Sequence, residues 1–320
     1  MRVLVLGGTR FVGRAIAAAA VDRGWQVTVF HRGVSGTPPA GARSVFGDRS
    51  TGGVAAIADQ PWDVVVDTWD GSPEAVRDAA DVLRDTAGRY VYVSSRSVYR
   101  QPLPGGLDED APLVAPGDGY GGDKLAAEHA VRDVYGMRAL VARAGLVLGP
   151  HEHPTRLVWW LRRVARGGDV LAPGPPYLPL QYIDVRDLAG WLLDTARDAV
   201  SGTFNAVSRP GHTTMAELLE ACREATGSAA RLRWAEPETI LAAGVQPWSE
   251  LPIWIPDGSP VRGLHETNTD RAHAAGLRCR PVVQTVADTW AWLRSTPDVP
   301  NIGGLNPARE SALLDRIASS

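Results

Sequence analysis

The chain has 320 residues, of which 44% are hydrophobic and 22% are charged, and its formal net charge at pH 7 is −3. This composition is ordinary for a soluble globular protein, and the length suits one large or two closely joined domains. The acidic balance disfavours nucleic acid as a partner, and no apolar run is long enough to span a membrane. Two cysteines give no disulfide framework and no signal peptide is evident, so we expect a cytoplasmic location.

The start of the chain predicts a unit of strand, glycine-rich turn, helix and strand. An apolar run over 3–6 is followed by the turn, by a helix over 14–23 and by a second strand over 25–30. Glycines in the turn permit close packing of the helix against the strand, and the free N–H groups at the helix start can hold a pyrophosphate. The turn therefore predicts a nucleotide site whose cofactor-binding residues are Gly7, Thr9, Arg10, Phe11, Val12 and Gly13.

The same alternation continues through the first half of the chain. Strands are predicted over 63–67, 90–95 and 138–142, and helices are predicted over 73–86 and 116–135. Alternating strands and helices predict an α/β fold with a Rossmann-type, doubly wound parallel sheet, whose ligands bind beyond the C-terminal ends of the strands. Gly7, Asp48, Thr68 and Ser95 fall at such strand ends.

The chain contains 33 basic residues, and Lys124 is the only one of them that is not arginine. It follows Tyr120 by four positions, and residues four apart share a helix face. Arginine presents a flat fork of donors, whereas lysine presents a compact ammonium that can lie beside a phenol. We therefore predict that Lys124 lowers the pKa of Tyr120 and makes the phenol a proton donor or acceptor near neutral pH.

Taken together, these motifs resemble the extended short-chain dehydrogenase/reductase superfamily, and within it the NAD-dependent epimerase/dehydratase-like family. The glycine-rich turn is similar to the pattern Gly-x-x-Gly-x-x-Gly, with Arg10 at the middle glycine. The stretch 93–99 resembles the catalytic serine strand, and Tyr120 and Lys124 match the motif Tyr-x-x-x-Lys. The resemblance implies that the catalytic residues are Ser95, Tyr120 and Lys124. The turn is most similar to an atypical branch that includes chloroplast stem-loop RNA-binding proteins, which generally lack an intact Tyr/Lys pair.

The resemblance also implies a nicotinamide cofactor, and the end of the second strand indicates which one. Family members that prefer NAD carry an acidic residue there, whereas this chain has His31 and Arg32. These side chains would not repel a 2′-phosphate, and the guanidinium of Arg10 can reach the same group. We therefore predict NADP(H) in preference to NAD(H). The resemblance adds, as further cofactor contacts, Asp48 at the adenine, Arg49, Thr68, Ser94 and Lys124.

The predicted reaction is NADPH-dependent reduction of a carbonyl or imine on a small metabolite, or the reverse oxidation. Tyr120 would donate a proton to the reacting oxygen or nitrogen, Ser95 would hydrogen-bond the same atom, and Lys124 would contact the nicotinamide ribose. Sugar 4,6-dehydratases carry an Asp-Glu pair after the catalytic hydroxyl residue, where this chain has Arg96 and Ser97, so dehydration is disfavoured. The alternatives are an NAD(P)-dependent epimerase of a sugar nucleotide and a non-catalytic NADP(H)-sensing or RNA-binding protein of the same fold.

The chain changes character after residue 150, where it becomes rich in tryptophan, proline and glycine. We predict that 1–150 and about 181–200 form the NADP(H)-binding domain, that about 151–180 and 201–300 form a smaller C-terminal α+β substrate domain, and that 301–320 form a helical tail. The abundant tryptophan favours an aromatic or bulky substrate. The candidate substrate-binding residues are Trp69, Ser97, Arg143, His151, Trp159, Tyr182 and Trp248.

Two patterns in this second half have more than one interpretation. The arginines of a helical stretch over 155–166, which include Arg156, can bind a sugar-nucleotide diphosphate or form the solvated face of the helix. His151, Glu152 and His153 resemble a metal pair, but no third ligand is evident, so we predict no metal. The partners we expect are a small-molecule substrate and a possible homodimer, formed through the helices that include that of Tyr120.

Overall fold

A computed structural model describes residues 1–296, 298–300 and 302–319 of the chain. The first half contains, in chain order, β1 (Arg2–Leu6), α1 (Phe11–Asp22), β2 (Gln26–His31), β3 (Arg43–Phe46), β4 (Trp62–Asp67), α2 (Pro73–Val82), β5 (Ala87–Ser95), α3 (Gly119–Tyr135) and β6 (Ala139–Ala144). The second half contains β7 (Val147–Leu148), α4 (Arg156–Ala165), β8 (Asp169–Pro173), β9 (Pro179–Leu180), β10 (Ile183–Asp184), α5 (Val185–Arg197), β11 (Gly202–Ala206), β12 (Thr213–Thr214), α6 (Met215–Thr226), β13 (Arg231–Ala235), α7 (Pro237–Ala242), α8 (Asp270–Ala274), α9 (Val282–Ser295) and α10 (Pro307–Ala318).

A seven-stranded parallel sheet forms the centre of the first half, in the order β11-β6-β5-β4-β1-β2-β3. Its central strands are apolar and buried on both faces, as parallel strands covered by helices must be. In β1, Val3 and Val5 pack towards the layer of α1 and α5, and Leu4 and Leu6 pack into the opposite core, which α2 and α3 cover. The predicted doubly wound α/β sheet is therefore confirmed.

Two strands of this sheet correct the sequence prediction. β3 was not predicted, because it is an edge strand whose half-exposed residues lack a strong apolar pattern. β11 pairs with β6 from Gly202 to Ala206, so this segment belongs to the central sheet and not to the substrate region of 201–300. Ala272 and Leu277 also pack in the core under that sheet. The domain of the central sheet therefore takes in parts of the chain beyond residue 200.

The predicted helices are present with shifted ends. α1 begins at Phe11, three residues before the predicted start, and α2 ends at Val82, four residues before the predicted end. α3 begins at Gly119 rather than at residue 116, because Gly117, with a φ of +79°, lies outside the right-handed helical region and interrupts the predicted start. Tyr120 is therefore in the first turn of α3, close to the C-terminal edge of the sheet.

A second core lies in the other half of the molecule, where α4, α6, α9 and α10 surround the parallel pair β8–β13. Trp160 and Trp254 are fully buried there. The predicted tail is helical over Pro307–Ala318, and it is docked by a buried ion pair of 2.5 Å between Glu310 and Arg163. The two end residues of the predicted tail, 301 and 320, lie outside the described residues. Within the described part of the chain, every helix is too short or too polar to traverse a bilayer.

Candidate active site

The turn between β1 and α1 is shaped by two glycines. Gly7 has a φ of +94°, which only glycine adopts without strain, and its N–H donates to Phe30 O at 3.1 Å. A Cβ on Gly13 would lie 2.2 Å from Gly7 O, so the helix can approach the turn this closely only with glycine there. No side chain caps the start of α1. The first N–H groups of the helix are therefore available to an anion.

A cavity of about 290 Å³ opens at this turn, along the C-terminal ends of β1, β2 and β4. The structure brings most of the predicted cofactor residues together there. Those that line it are Gly7, Thr9, Arg10, Phe11, Val12, Gly13, His31, Arg32, Arg49 and Thr68, together with Trp69, which was predicted for the substrate. We call this cavity the cofactor cleft.

Three predicted cofactor residues, Asp48, Ser94 and Lys124, do not line the cofactor cleft. Protein groups already hold the side chains of Asp48 and Ser94. Asp48 caps a short 3-10 helix over Arg49–Thr51 by accepting the Ser50 N–H at 2.9 Å. Ser94 is buried in β5, and its hydroxyl donates to the Glu128 carboxylate at 2.6 Å. Their predicted contacts with the cofactor therefore find no support in the position of either side chain.

The positive charges of the cofactor cleft are not equivalent. The Nδ1 of His31 accepts the Gly33 N–H at 3.1 Å, its Nε2 lies 3.0 Å from Ser44 Oγ, and burial lowers its pKa, so the ring is neutral. Arg49 is buried and makes a bidentate ion pair with Asp67 at 2.7 and 2.8 Å. Arg10 and Arg32 are exposed and make no ion pair with any described residue. They are the two guanidinium groups that remain free for a phosphate.

A second cavity, of about 320 Å³, adjoins the first and contains the predicted catalytic hydroxyl groups. Ser95 ends β5, and its Oγ accepts the Ser97 N–H at 3.1 Å. Tyr120 lies at the mouth of this cavity with about half of its surface exposed. Ser97 and Trp248 also line it, as predicted for substrate-binding residues. We call this second space the catalytic cavity.

Lys124 lies behind Tyr120 on α3, almost completely buried. Its Nζ donates to Trp69 O at 2.5 Å and to Val93 O at 2.9 Å, and it stacks over the Tyr92 ring at 4.9 Å. Burial lowers the pKa of Lys124 to about 8. The two hydrogen bonds fix the ammonium between β4 and β5 and leave one of its three N–H donors for a ligand.

The predicted effect of Lys124 on Tyr120 is wrong for the free protein. Burial raises the pKa of Tyr120 above its usual value, and the nearby Ser95 hydroxyl opposes this rise. Lys124 does not lower it, because the ammonium is held by backbone carbonyl groups rather than by the phenol. Tyr120 therefore keeps its proton at neutral pH and is a proton donor in this state.

The sequence model of the NAD dependent epimerase/dehydratase family matches residues 3–206. The chain belongs to this family. The matched segment contains the glycine-rich turn and all three predicted catalytic residues, Ser95, Tyr120 and Lys124. The family resemblance inferred from the motifs is therefore confirmed, and with it an NAD-dependent enzyme family of the short-chain dehydrogenase/reductase type.

Individual relatives of this epimerase/dehydratase-family protein carry different names. It is 26% identical, over 86% of its length and 99% of the relative, to a UDP-glucose 4-epimerase of Corynebacterium glutamicum. It is 26% identical, over 75% of its length and 65% of the relative, to the chloroplast stem-loop binding protein of 41 kDa b of Arabidopsis thaliana. Its fold matches the crystal structure of the Bordetella bronchiseptica enzyme WbmH in complex with NAD+ with a TM-score of 0.71, at 19% identity, covering 92% of this chain and 98% of that one.

Five predicted substrate residues lie outside the catalytic cavity of this family member: Trp69 lines the cofactor cleft, His151 lines another cavity, and the other three are buried in the protein. Arg143 is buried in β6, where it pairs with Glu128 at 2.9 Å and donates to Tyr99 Oη at 3.1 Å. Tyr182 is buried, and its hydroxyl donates to Arg280 O at 3.3 Å. Trp159 is buried in the second core against Trp160. Each of these three is a core residue, because its polar atoms already have hydrogen-bond or ion-pair partners in the protein, or its ring already packs against another ring.

His151 lies in a third cavity, of about 240 Å³, that also borders Arg10. Its ring packs against Trp292 with 5.1 Å between centroids. Among the residues that the structure describes, no three His, Cys, Asp or Glu side chains are grouped so that they could hold a metal. Because His151 lines this third cavity, it lies outside the catalytic cavity as well.

Two arginines of the catalytic cavity were not selected from the sequence as site residues. Arg96 lines it directly after the catalytic serine, and Arg156 lines it from the first turn of α4. The sequence left two interpretations of Arg156, a ligand of a diphosphate or part of the solvated face of its helix. Because Arg156 lines the cavity, the second interpretation is excluded. The sequence contained one indication that Arg96 belongs to the site, since Arg96 occupies the position at which dehydratases carry an acid.

Proposed function

We propose that this protein is an epimerase that inverts a hydroxyl-bearing carbon of a nucleotide sugar with the help of a nicotinamide cofactor. One observation carries the proposal: Phe11 and Val12 line both cavities, so the cavity that contains the hydroxyl groups of Ser95 and Tyr120 adjoins the cofactor cleft. Similarity to a UDP-glucose 4-epimerase along almost the whole chain favours this reaction over the reductase predicted from the sequence.

A nicotinamide cofactor fits the residues of the cofactor cleft. Gly13 leaves the space that a pyrophosphate-binding turn requires, and the start of α1 has no side-chain cap that would compete for its N–H groups. Gly7, Thr9, Phe11 and Val12 would hold the pyrophosphate, and the free donor of Lys124 would serve the nicotinamide ribose. When bound, such a cofactor would supply the hydride acceptor for oxidation of the sugar carbon and the hydride donor for its re-reduction from the opposite face.

The protein's own residues account for the proton that accompanies this hydride. Oxidation of the alcohol removes a proton from its oxygen and breaks its C–H bond, and re-reduction restores both. Tyr120 accepts and returns the proton, and the Ser95 hydroxyl hydrogen-bonds the same oxygen and orients it. Because burial raises the pKa of the free phenol, Tyr120 is protonated before the reaction and must release that proton before it can accept one from the sugar.

We further propose that NADP(H) is preferred to NAD(H). The support is that Arg10 and Arg32 line the cofactor cleft without ion-pair partners among the described residues, and that the acid lining it, Asp70, follows β4 rather than β2. Paired guanidinium groups suit phosphate oxygens. We expect NADPH to bind about ten times more tightly than NADH, and Arg10→Ala with Arg32→Ala to remove the difference. Titration by nicotinamide fluorescence measures it, and tighter binding of NADH by the unaltered protein would contradict it.

The reaction is tested by incubating the purified protein with nucleotide sugars and a substoichiometric amount of oxidised cofactor. We expect a proton NMR spectrum to show the inverted sugar, with no net change in the redox state of the cofactor. Tyr120→Phe should abolish the product, and Tyr177→Phe, an exposed tyrosine outside the site, should not. Steady consumption of NADPH with a carbonyl substrate, and no epimer from any nucleotide sugar, would contradict the epimerase and support the reductase predicted from the sequence.

A further inference from the structure

The catalytic cavity has an uneven balance of charge. Of the described residues that line it, Arg96 and Arg156 are positively charged and none is acidic. His265 also lines it, but its Nδ1 accepts the Gln181 N–H at 3.0 Å and its Nε2 lies 3.0 Å from Ile253 O. Burial lowers the pKa of His265 to about 3, so this ring is neutral. The wall of the cavity therefore carries two positive charges and no negative charge.

Arg156 reaches the catalytic cavity without forming a close ion pair with any described residue. Its guanidinium stacks on the Trp248 ring at 4.9 Å, and within the described part of the chain its side chain makes no ion pair and no hydrogen bond. Glu152, four residues earlier, attracts the guanidinium electrostatically but makes no hydrogen bond to it, because its carboxylate oxygens accept the N–H groups of Arg156 and Leu157 at 3.0 Å each. The guanidinium donors of Arg156 are therefore available to a ligand.

Arg96 is the second unpaired guanidinium, and it is only 3% exposed. Its Nη1 donates to Thr267 Oγ1 at 2.6 Å and to Gln181 Oε1 at 3.4 Å, and both of these acceptors are neutral. Its Nε is buried and has no hydrogen-bond partner in the described structure. A buried charge without a counter-charge is costly, and an anion in the cavity would compensate it.

We infer that the catalytic cavity selects a sugar that carries a carboxylate, and that Arg156 and Arg96 are the residues that determine this specificity. The inference rests on the proposed function, since it names the substrate class of the same site. A carboxylate accepts two parallel hydrogen bonds from a guanidinium, which a neutral hydroxymethyl group cannot do. The two arginines line the same cavity as Ser95 and Tyr120, beside which the reacting sugar would lie, so the anion that we infer there is a carboxylate of the sugar rather than the diphosphate of the nucleotide.

The test compares UDP-glucuronate with UDP-glucose, which differ in a carboxylate against a hydroxymethyl group and share the nucleotide diphosphate. For the cofactor-loaded protein we expect kcat/KM to favour the acid by about 100-fold, the effect typical of hydrogen bonds to a charged group. Arg156→Met should lower kcat/KM for UDP-glucuronate by about 30-fold and change that for UDP-glucose less than about threefold. Arg156→Lys should restore part of the preference, because it retains the charge but not the fork.

Two controls separate this role from folding and from cofactor binding. Arg166→Met changes an exposed arginine at the other end of the same helix and should alter neither substrate. Cofactor affinity, measured by nicotinamide fluorescence, should be the same for Arg156→Met and for the unaltered protein. Because Arg96 is buried, Arg96→Gln is used only if its thermal unfolding matches that of the unaltered protein.

The outcomes distinguish this inference from the proposed function. Equal turnover of both sugars by the unaltered protein, or an equal loss for both in Arg156→Met, overturns the inference and leaves the epimerase in place. If neither sugar is turned over, calorimetric binding decides: preferential binding of UDP-glucuronate that depends on Arg156 supports the inference while the proposed reaction fails. If neither sugar binds, the inference and the proposed function are both overturned.

Discussion

The cofactor cleft and the catalytic cavity adjoin each other but are built in different ways. The cofactor cleft is formed largely by backbone and glycine at strand ends, and its buried arginine, Arg49, is neutralised by Asp67. The catalytic cavity is formed by side chains from α3, α4 and loops far apart in the chain, and its arginines, Arg96 and Arg156, make no ion pair with any described residue. The difference teaches that the buried charge of the first site is balanced within the protein, whereas the buried charge of Arg96 in the second site is not.

The difference between the two sites is tested most clearly at Tyr120, which lines only the catalytic cavity. Replacing it with phenylalanine removes the proton donor of the catalytic cavity and leaves the cofactor cleft intact. We expect turnover to fall by about 1,000-fold, within the range for loss of a general acid or base, and cofactor affinity to stay within about twofold. Steady-state kinetics and fluorescence titration measure the two effects. A parallel loss of cofactor affinity would show that the two sites are not separable at this residue.

The charge of Lys124 can be followed through the pH dependence of stability. Its folded pKa, about 8, lies below the usual 10.5, so its stabilising contribution is present above pH 10.5 and is lost as the pH falls towards 8. We expect the free energy of unfolding to rise by up to about 3 kcal/mol between pH 8 and 10.5 relative to Lys124→Met. Denaturant unfolding at a series of pH values measures this difference. Identical pH profiles for the two proteins would contradict the buried ammonium.

Gly13 tests whether the cofactor cleft depends on backbone alone. Gly13→Ala places a Cβ 2.2 Å from Gly7 O, so the turn must open, and we expect a loss of about 1–3 kcal/mol in unfolding free energy together with weaker cofactor binding. Gly190→Ala is the matched control, because this helical glycine has Arg23 Nη2 as its nearest neighbour, at 3.6 Å, and alanine there should be neutral or stabilising. Unchanged cofactor affinity in Gly13→Ala would refute the close approach.

The smallest effect is expected at Trp248, which orients Arg156 in the catalytic cavity. Trp248→Leu removes the stacking surface and should raise the substrate KM by about fivefold with little change in kcat, as expected for loss of a cation–π contact. Trp25→Leu is the control, because Trp25 makes a similar contact with Arg23 far from the site. A fall in kcat with an unchanged KM would assign Trp248 to the chemistry instead of to substrate binding.

The sequence predicts the cofactor cleft well because its determinants are local. Gly7 and Gly13 lie within one turn, and the spacing of Tyr120 and Lys124 is set by a single helix. The sequence pattern does not assign β11 to the central sheet because its partner, β6, lies about sixty residues earlier, and a short strand at the sheet edge has little hydrophobic periodicity.

The catalytic cavity is harder to predict because its members meet only in the fold. Arg143 and Tyr182 have the composition of binding residues, but Glu128 and Arg280 satisfy them inside the protein. Arg156 is indistinguishable in sequence from the other arginines of its helix, and only the position of α4 turns it into the cavity. The pKa of Tyr120 was predicted in the wrong direction because spacing does not show where the Lys124 ammonium points.

The proposed epimerase is tested most directly by the fate of the hydrogen on the reacting carbon. The protein would be given a nucleotide sugar that carries deuterium at that carbon and a trace of unlabelled oxidised cofactor, and the product would be analysed by NMR. The account predicts an inverted sugar that keeps its deuterium, since the same hydride is returned to the carbon from which it came. Deuterium that accumulates in the cofactor or in water, or a product that is not inverted, would contradict it.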